Sequence, residues 1–142
     1  MYAVLAGVLL ALLWAGLTHY VLKSPAKQSY EYWTMEASPW RIANQYLAAD
    51  SKVQVIELVN EAGVPLFLKQ VDVNGTHGAG SLKLEPNRFG PGESKLVMVP
   101  VQTPCLVNET FSYRLRVAYA KQAQTNETET EEGRLPVYGR CE

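Results

Sequence analysis

The feature that most constrains this chain is a long uncharged stretch at its N-terminus. Residues 2–22 contain no Asp, Glu, Lys or Arg over twenty-one positions. As a helix they would extend about 30 Å, the thickness of a bilayer's hydrocarbon core. A core helix would be amphipathic, and a signal peptide would begin with basic residues and end in a small-x-small cleavage site. We therefore predict a helix over residues 1–24 that spans a membrane or lies in a filament core.

Small residues recur every fourth position along this predicted helix, at Ala3, Gly7, Ala11 and Ala15. Such a ridge lets two helix backbones approach closely, which favours association where lipid gives no hydrophobic drive. The ridge predicts self-association into a homo-oligomer or filament, with the chain in the membrane before assembly. Because alanine is common in apolar helices, a chance arrangement is the alternative.

Two kinds of evidence disagree about which side of the membrane the rest of the chain occupies. Lys23 and Lys27 follow the apolar stretch, and the positive-inside rule would place them in the cytoplasm. Three N-glycosylation sequons begin at Asn74, Asn108 and Asn126, where about 0.6 are expected by chance from this composition. Since this modification belongs to extracellular domains, we expect residues 39–142 to lie outside the cell.

The two cysteines, Cys105 and Cys141, are consistent with the same compartment. A disulfide between them would close a loop of about 37 residues and stabilise the domain by about 3 to 4 kcal/mol. The alternative is a metal site, but the two histidines are His19 in the apolar stretch and His77 in a glycine-rich loop. We expect His77 to be solvated, and we predict a disulfide and no metal or other cofactor.

After residue 40 the pattern is typical of short β-strands. Apolar residues alternate with polar ones or form short runs, and turn signals such as Asn74-Gly75 and the Pro/Gly-rich segment 86–92 separate them. Seven strands spaced in this way predict a mainly β fold, an immunoglobulin-like antiparallel β-sandwich over residues 39–142. The predicted strands cover residues 42–48, 53–59, 66–73, 82–84, 96–101, 111–119 and 134–138.

Residues 25–38 are predicted to be a linker, because Pro25 cannot continue a regular helix. Aromatic residues cluster on either side of this break, at Tyr20, Tyr30, Tyr32 and Trp33. Amphipathic rings favour the headgroup layer of a bilayer, but they could equally pack beneath the domain. The sequence leaves both alternatives open.

Catalytic and nucleic-acid-binding signatures are absent from the sequence. No nucleophile-elbow, zincin, P-loop or dinucleotide-binding motif occurs, and a net charge of -1 argues against a broad basic surface. The acidic run of Glu127, Glu129, Glu131 and Glu132 could hold Ca²⁺, but an exposed strand edge or loop explains it better. We expect neither an enzyme nor a partner that is a nucleic acid or small-molecule substrate.

Several segments together resemble archaeal type IV pilin-like and related membrane-anchored surface proteins. An apolar helix and a connector precede a sandwich, as in that family. The strand-turn-strand opening of the sandwich, its central loop and its ending are similar to those of the family. The segments that carry this similarity are 53–66, 71–75, 89–94, 104–105, 111–113 and 139–141. The resemblance implies a helix in the filament core, a sandwich outside and no catalysis by the subunit. Two departures are Leu5, where bacterial pilins have glutamate, and the early break at Pro25.

The sequence therefore predicts a structural subunit of an extracellular, pilus-like filament, a surface appendage with a role in adhesion. The alternative is a single-pass membrane protein that presents the same domain as an accessory or binding subunit of a larger complex. A helical assembly of many copies would favour the first, and a 1:1 heteromeric membrane complex would favour the second.

Overall fold

The computed structural model describes residues 6–13, 24–124 and 126–142. Residues 6–13 are α-helical and are designated α1. A second helix, α2, covers Pro25–Glu31 and continues into a π-helical turn, Tyr32–Glu36. Within these described ranges, no helix combines the length and hydropathy needed to cross a bilayer. The long N-terminal helix therefore stays a prediction, and Ala3 and Ala15 of its small-residue ridge lie outside the described residues.

Eight antiparallel strands account for most of the described residues after the helices. They are β1 Trp40–Leu47, β2 Val53–Asn60, β3 Leu66–Gly75, β4 Gly78–Phe89, β5 Ser94–Pro100, β6 Thr110–Ala120, β7 Glu129–Glu132 and β8 Val137–Arg140. One sheet has the order β1-β2-β5. The other has the order β4-β3-β6, with β7 and β8 pairing with successive parts of β6. This mainly β, antiparallel fold confirms the predicted class.

The two sheets enclose one hydrophobic core. Alternate residues of each strand point inward because successive side chains of a strand lie on opposite faces. Sheet β1-β2-β5 contributes Ile56 and Val99, and the facing sheet contributes Leu68 and Val117, all nearly inaccessible to solvent. The core therefore has the sandwich-like arrangement that the period-two pattern predicts.

The observed strand boundaries differ most from the predicted ones where side chains are exposed. β4 extends over twelve residues, through Pro86 and up to Phe89, where the sequence predicts a short strand followed by a loop. Most of its residues are exposed or half-buried. Its sequence therefore lacks the run of apolar residues that would have predicted the full length of the strand. Backbone pairing with β3 holds it in place, and its position at the sheet edge tolerates Pro86. β7 lies likewise at an edge within the acidic run.

The segment predicted as a linker forms α2 and the π-helical turn, and it packs against the sandwich. Ser24 caps α2 by accepting the Lys27 backbone N–H at 3.2 Å, and Pro25 occupies its first turn, where the missing N–H costs nothing. Trp33 is buried and donates its indole N–H to the Leu135 carbonyl oxygen at 3.0 Å. The sequence leaves two alternatives for the aromatic residues, the headgroup layer of a bilayer or packing beneath the domain. Trp33 packs beneath the domain.

Glycine permits this docking. A Cβ at Gly133 would overlap the six-membered ring of Trp33, so the ring lies directly on the backbone before β8. Arg134 strengthens the contact: its backbone N–H donates to the Tyr32 hydroxyl at 3.0 Å, and its guanidinium pairs with Glu36 at 2.9 Å. The chain preceding β1 is thereby attached to the β7–β8 connection.

Candidate functional site

Cys105 and Cys141 form a disulfide in the structure, with Cα atoms 6.1 Å apart and no solvent exposure of either residue. Cys105 lies in the connection from β5 to β6, and Cys141 follows β8. Backbone hydrogen bonds fix both: Asp50 donates to the Cys105 carbonyl at 2.7 Å, Asn108 donates to the Cys141 carbonyl at 3.0 Å, and Cys141 donates to the Glu109 carbonyl at 2.8 Å. The bridge is part of the core rather than a surface clip.

The prediction that His77 is solvated is wrong. His77 is 7% exposed and forms, with Thr76, the turn between β3 and β4. Its carbonyl oxygen accepts the backbone N–H groups of Gln102 and Thr103, so the turn folds back onto the β5–β6 connection. Nδ1 lies 3.3 Å from Thr103 Oγ1, while Nε2 is buried with no hydrogen-bond partner among the described residues. A tertiary contact buries a residue whose neighbours in sequence indicate a loop.

The structure brings His77 to the two cysteines. A ring nitrogen of His77, both sulfur atoms and a carboxylate oxygen of Glu109 all lie within 4.8 Å of one another. We name these four residues, His77, Cys105, Glu109 and Cys141, the disulfide cluster. The sequence predicted the cysteine pair but missed the histidine and the carboxylate, because no local spacing connects a β3–β4 turn with the β5–β6 connection.

Glu109 is oriented by its own turn. Its Oε2 accepts the Leu106 backbone N–H at 2.9 Å, and its backbone N–H donates to the Leu106 carbonyl at 3.0 Å. Glu109 is half-buried, in contrast to the inaccessible cysteines. The disulfide cluster therefore has one polar side that approaches the surface.

The three sequon asparagines, Asn74, Asn108 and Asn126, are all exposed. Asn108 has a positive φ of 64°, a conformation in which asparagine is among the favoured residues. Asn74 lies within β3, one residue before its end, and not in the turn, which Thr76 and His77 form. Gly75 ends the strand against β6, where a Cβ would overlap Ser112 and Tyr113. Their side chains are accessible to a glycan, and their modification stays a prediction.

The described part of the predicted packing helix is exposed throughout. Gly7 and Ala11 lie on the surface of α1, and an added Cβ at Gly7 would meet nothing within 4 Å among the described residues. The large apolar side chains of α1 are also more than half exposed: Val8, Leu9, Leu10, Leu12 and Leu13. Within the described part of the chain, this apolar surface is not covered by the sandwich.

The acidic run has one buried member. Glu131 is 9% exposed, and its burial raises the pKa of the carboxyl to about 7, although backbone hydrogen bonds from Trp40 and Ser38 oppose that shift. Glu129 lies 3.5 Å from the Lys121 ammonium and Glu132 lies 3.5 Å from the Arg116 guanidinium. Carboxylates that pair outward with lysine and arginine support the interpretation as an edge strand rather than a Ca²⁺ site.

Comparison with known proteins adds no relative: no protein-family model and no curated protein sequence matches this chain.

Proposed function

We propose that this chain is the structural subunit of an extracellular, pilus-like filament. The observation that carries the proposal is the exposed apolar surface of α1, where Leu10, Leu12 and Leu13 are each more than 60% exposed. Five large aliphatic side chains on eight consecutive helical residues are unfavourable in water, because each is more than half exposed and full burial contributes at most about 1.5 to 3 kcal/mol per side chain. A bilayer before assembly and neighbouring copies afterwards would cover this surface.

The sequence around α1 supports a long version of the same helix. Residues 2–22 are uncharged, and Ala3, Gly7, Ala11 and Ala15 repeat at the spacing of close helix packing. We infer that these helices bundle in the filament core, with Gly7 and Ala11 at the helix–helix contact. The resemblance to pilin-like proteins points to the same arrangement.

The sandwich would form the outer surface of the filament. We propose that it is immunoglobulin-like, because a three-stranded β1-β2-β5 sheet facing a β4-β3-β6 sheet, with β7 and β8 at its edge, is compatible with that architecture. Exposed sequons and a buried disulfide are properties of domains outside the cell. An adhesive role follows from position alone, because the sandwich is the part that a surface would meet.

The docked segment 25–36 gives the proposal a mechanical basis. A subunit that transmits force from an outer domain to a core helix needs a firm connection between them. Burial of Trp33 and its hydrogen bond to the Leu135 carbonyl oxygen hold α2 and the π-helical turn on the sandwich. Tension that reaches residue 25 would therefore act on a packed interface.

The test is the assembly of variants of α1. Replacing Gly7 with leucine should abolish filaments by separating backbones that must nearly touch, as seen by electron microscopy of material purified from the native host. The matched control is Ala6→Leu, which adds bulk about 100° away around the helix and should leave filaments intact. Normal filaments from Gly7→Leu would show that another face packs, and a purified 1:1 complex with a different membrane protein would overturn the filament proposal.

A further inference from the structure

We propose that the disulfide cluster is a zinc site in the reduced protein, with His77, Cys105, Glu109 and Cys141 as the four ligands. The disulfide and the metal would be two alternative states of the same cysteine pair. This inference is independent of the filament proposal, because it depends only on side chains within the sandwich.

The donor set fits zinc in kind and in spacing. Zn²⁺ in structural sites takes four ligands from Cys, His and carboxylate groups in a tetrahedron, with Zn–S bonds near 2.3 Å and Zn–N and Zn–O bonds near 2.0 to 2.2 Å. Ligand atoms around such an ion are separated by about 3 to 4 Å. The four donor atoms lie within 4.8 Å of one another, so small side-chain movements would bring all of them to one ion.

His77 supplies the observation that points to a ligand. It is 93% buried, yet Nε2 has no hydrogen-bond partner among the described residues. Buried polar atoms are usually satisfied, so such an atom requires an explanation. If the proton is on Nδ1, that nitrogen donates to Thr103 Oγ1 at 3.3 Å and Nε2 presents its lone pair. Metal-binding histidines usually fix their second nitrogen in this way.

Glu109 has the corresponding support on the carboxylate side. Its Oε2 accepts the Leu106 backbone N–H, which orients the carboxylate, and one carboxylate oxygen lies within 4.8 Å of the other three donor atoms. Ligating carboxylates are commonly held by such an outer hydrogen bond. Each non-cysteine ligand thus already has its orienting partner.

The switch between the two states balances as an ordinary thiol–disulfide exchange. Two molecules of a thiol reductant supply two electrons and two protons, become one disulfide, and leave Cys105 and Cys141 as thiols. Zinc then forms two Zn–S bonds as both thiol protons pass to solvent. The positive ion compensates the charge of the two buried thiolates that coordinate it, so its binding stabilises the reduced fold.

The experiment measures metal binding to the full chain in detergent, reduced with a phosphine and compared with the oxidised chain. Co²⁺ serves as the spectroscopic probe, and Zn²⁺ affinity is measured by competition with a chelating indicator. We expect one Co²⁺ per reduced chain, with tetrahedral visible bands and thiolate charge-transfer absorption. The oxidised chain should bind none, and Zn²⁺ should raise the melting temperature of the reduced chain alone.

Variants separate this site from adventitious thiol binding. His77→Asn should weaken Zn²⁺ binding more than about 10-fold. Loss of a residue that only hydrogen-bonds to a metal ligand already weakens binding by at least about 10-fold. His19→Asn, which removes the other histidine, should leave affinity and spectrum unchanged. Because the oxidised His77→Asn chain retains the disulfide, its thermal transition shows whether the variant folds. If the His77→Asn chain does not fold, Glu109→Gln is the deciding variant, and Glu132→Gln is its control.

Two results would overturn the proposal. A reduced chain that takes up no Co²⁺ would show that the cysteines and His77 cannot reach one ion. A folded His77→Asn or Glu109→Gln chain with full affinity and an unchanged spectrum would show that the metal binds the thiols elsewhere.

Discussion

Replacing Trp33 with alanine should destabilise the whole sandwich, although Trp33 precedes the first strand. The side chain is 98% buried, and a buried tryptophan removes about 150 to 250 Å² from water. At about 25 cal/mol per Å² the lost burial corresponds to about 4 to 6 kcal/mol, and measured Trp→Ala changes in cores reach about 3 to 5 kcal/mol. Loss of the hydrogen bond to Leu135 is included in that figure. We expect about 4 kcal/mol.

The assay is urea unfolding followed by circular dichroism and by intrinsic fluorescence. With a slope of about 2 kcal/mol per M, a loss of about 4 kcal/mol lowers the midpoint by about 2 M. Trp33→Phe keeps an aromatic ring but loses the indole N–H, and it should cost only about 1 to 2 kcal/mol. Tyr30→Ala is the matched control in α2, because Tyr30 is 68% exposed, and should change stability by less than about 0.5 kcal/mol.

One result would refute the reasoning. If Trp33→Ala lowers the free energy of unfolding by less than about 1 kcal/mol, residues 25–36 are not part of the cooperative unit. The segment would then behave as the linker that the sequence predicts, and the proposed firm connection between the sandwich and the core helix would be refuted.

Three further predictions concern the sandwich and its surface. Because the pKa of Glu131 is about 7 when folded and near 4.5 when unfolded, the folded chain binds the extra proton between those values. Stability should therefore fall by about 3 kcal/mol as the pH rises through that window. Glu131→Gln should remove this dependence in urea titrations at the two ends, and a variant with an unchanged pH profile would contradict the prediction. Cys141→Ser should cost about 2 to 5 kcal/mol, and mass analysis of the unreduced chain should find two hydrogens fewer than after reduction, whereas two free thiols would refute the disulfide. Mass spectrometry of material from the native organism should find glycan on at least two of the three sequons, with Asn74 and Asn126 first, and three bare asparagines would instead favour the cytoplasmic orientation indicated by Lys23 and Lys27.

The amino-acid pattern determined the fold class. β2, β3 and β6 were predicted to within one or two residues at each end, because each alternates or concentrates β-branched, leucine and aromatic residues along a strand that is buried on at least one face. That signal is local, since period two follows from the backbone alone. Of the edge strand β4 the pattern predicted only residues 82–84, and β7 was not among the seven predicted strands, because both are held by pairing with β3 and β6 more than by apolar side chains.

The sequence also indicated the cysteine pair, whereas the rest of the disulfide cluster was decided by tertiary structure. His77 and Glu109 are separated by 32 positions and lie in two different connections, so neither composition nor spacing relates them. The same is true of Trp33, whose partners Gly133 and Leu135 are about one hundred residues away. Local patterns report which face of an element is buried. Which loops meet depends on how the two sheets pack, and that is set by the sum of contacts across the whole core.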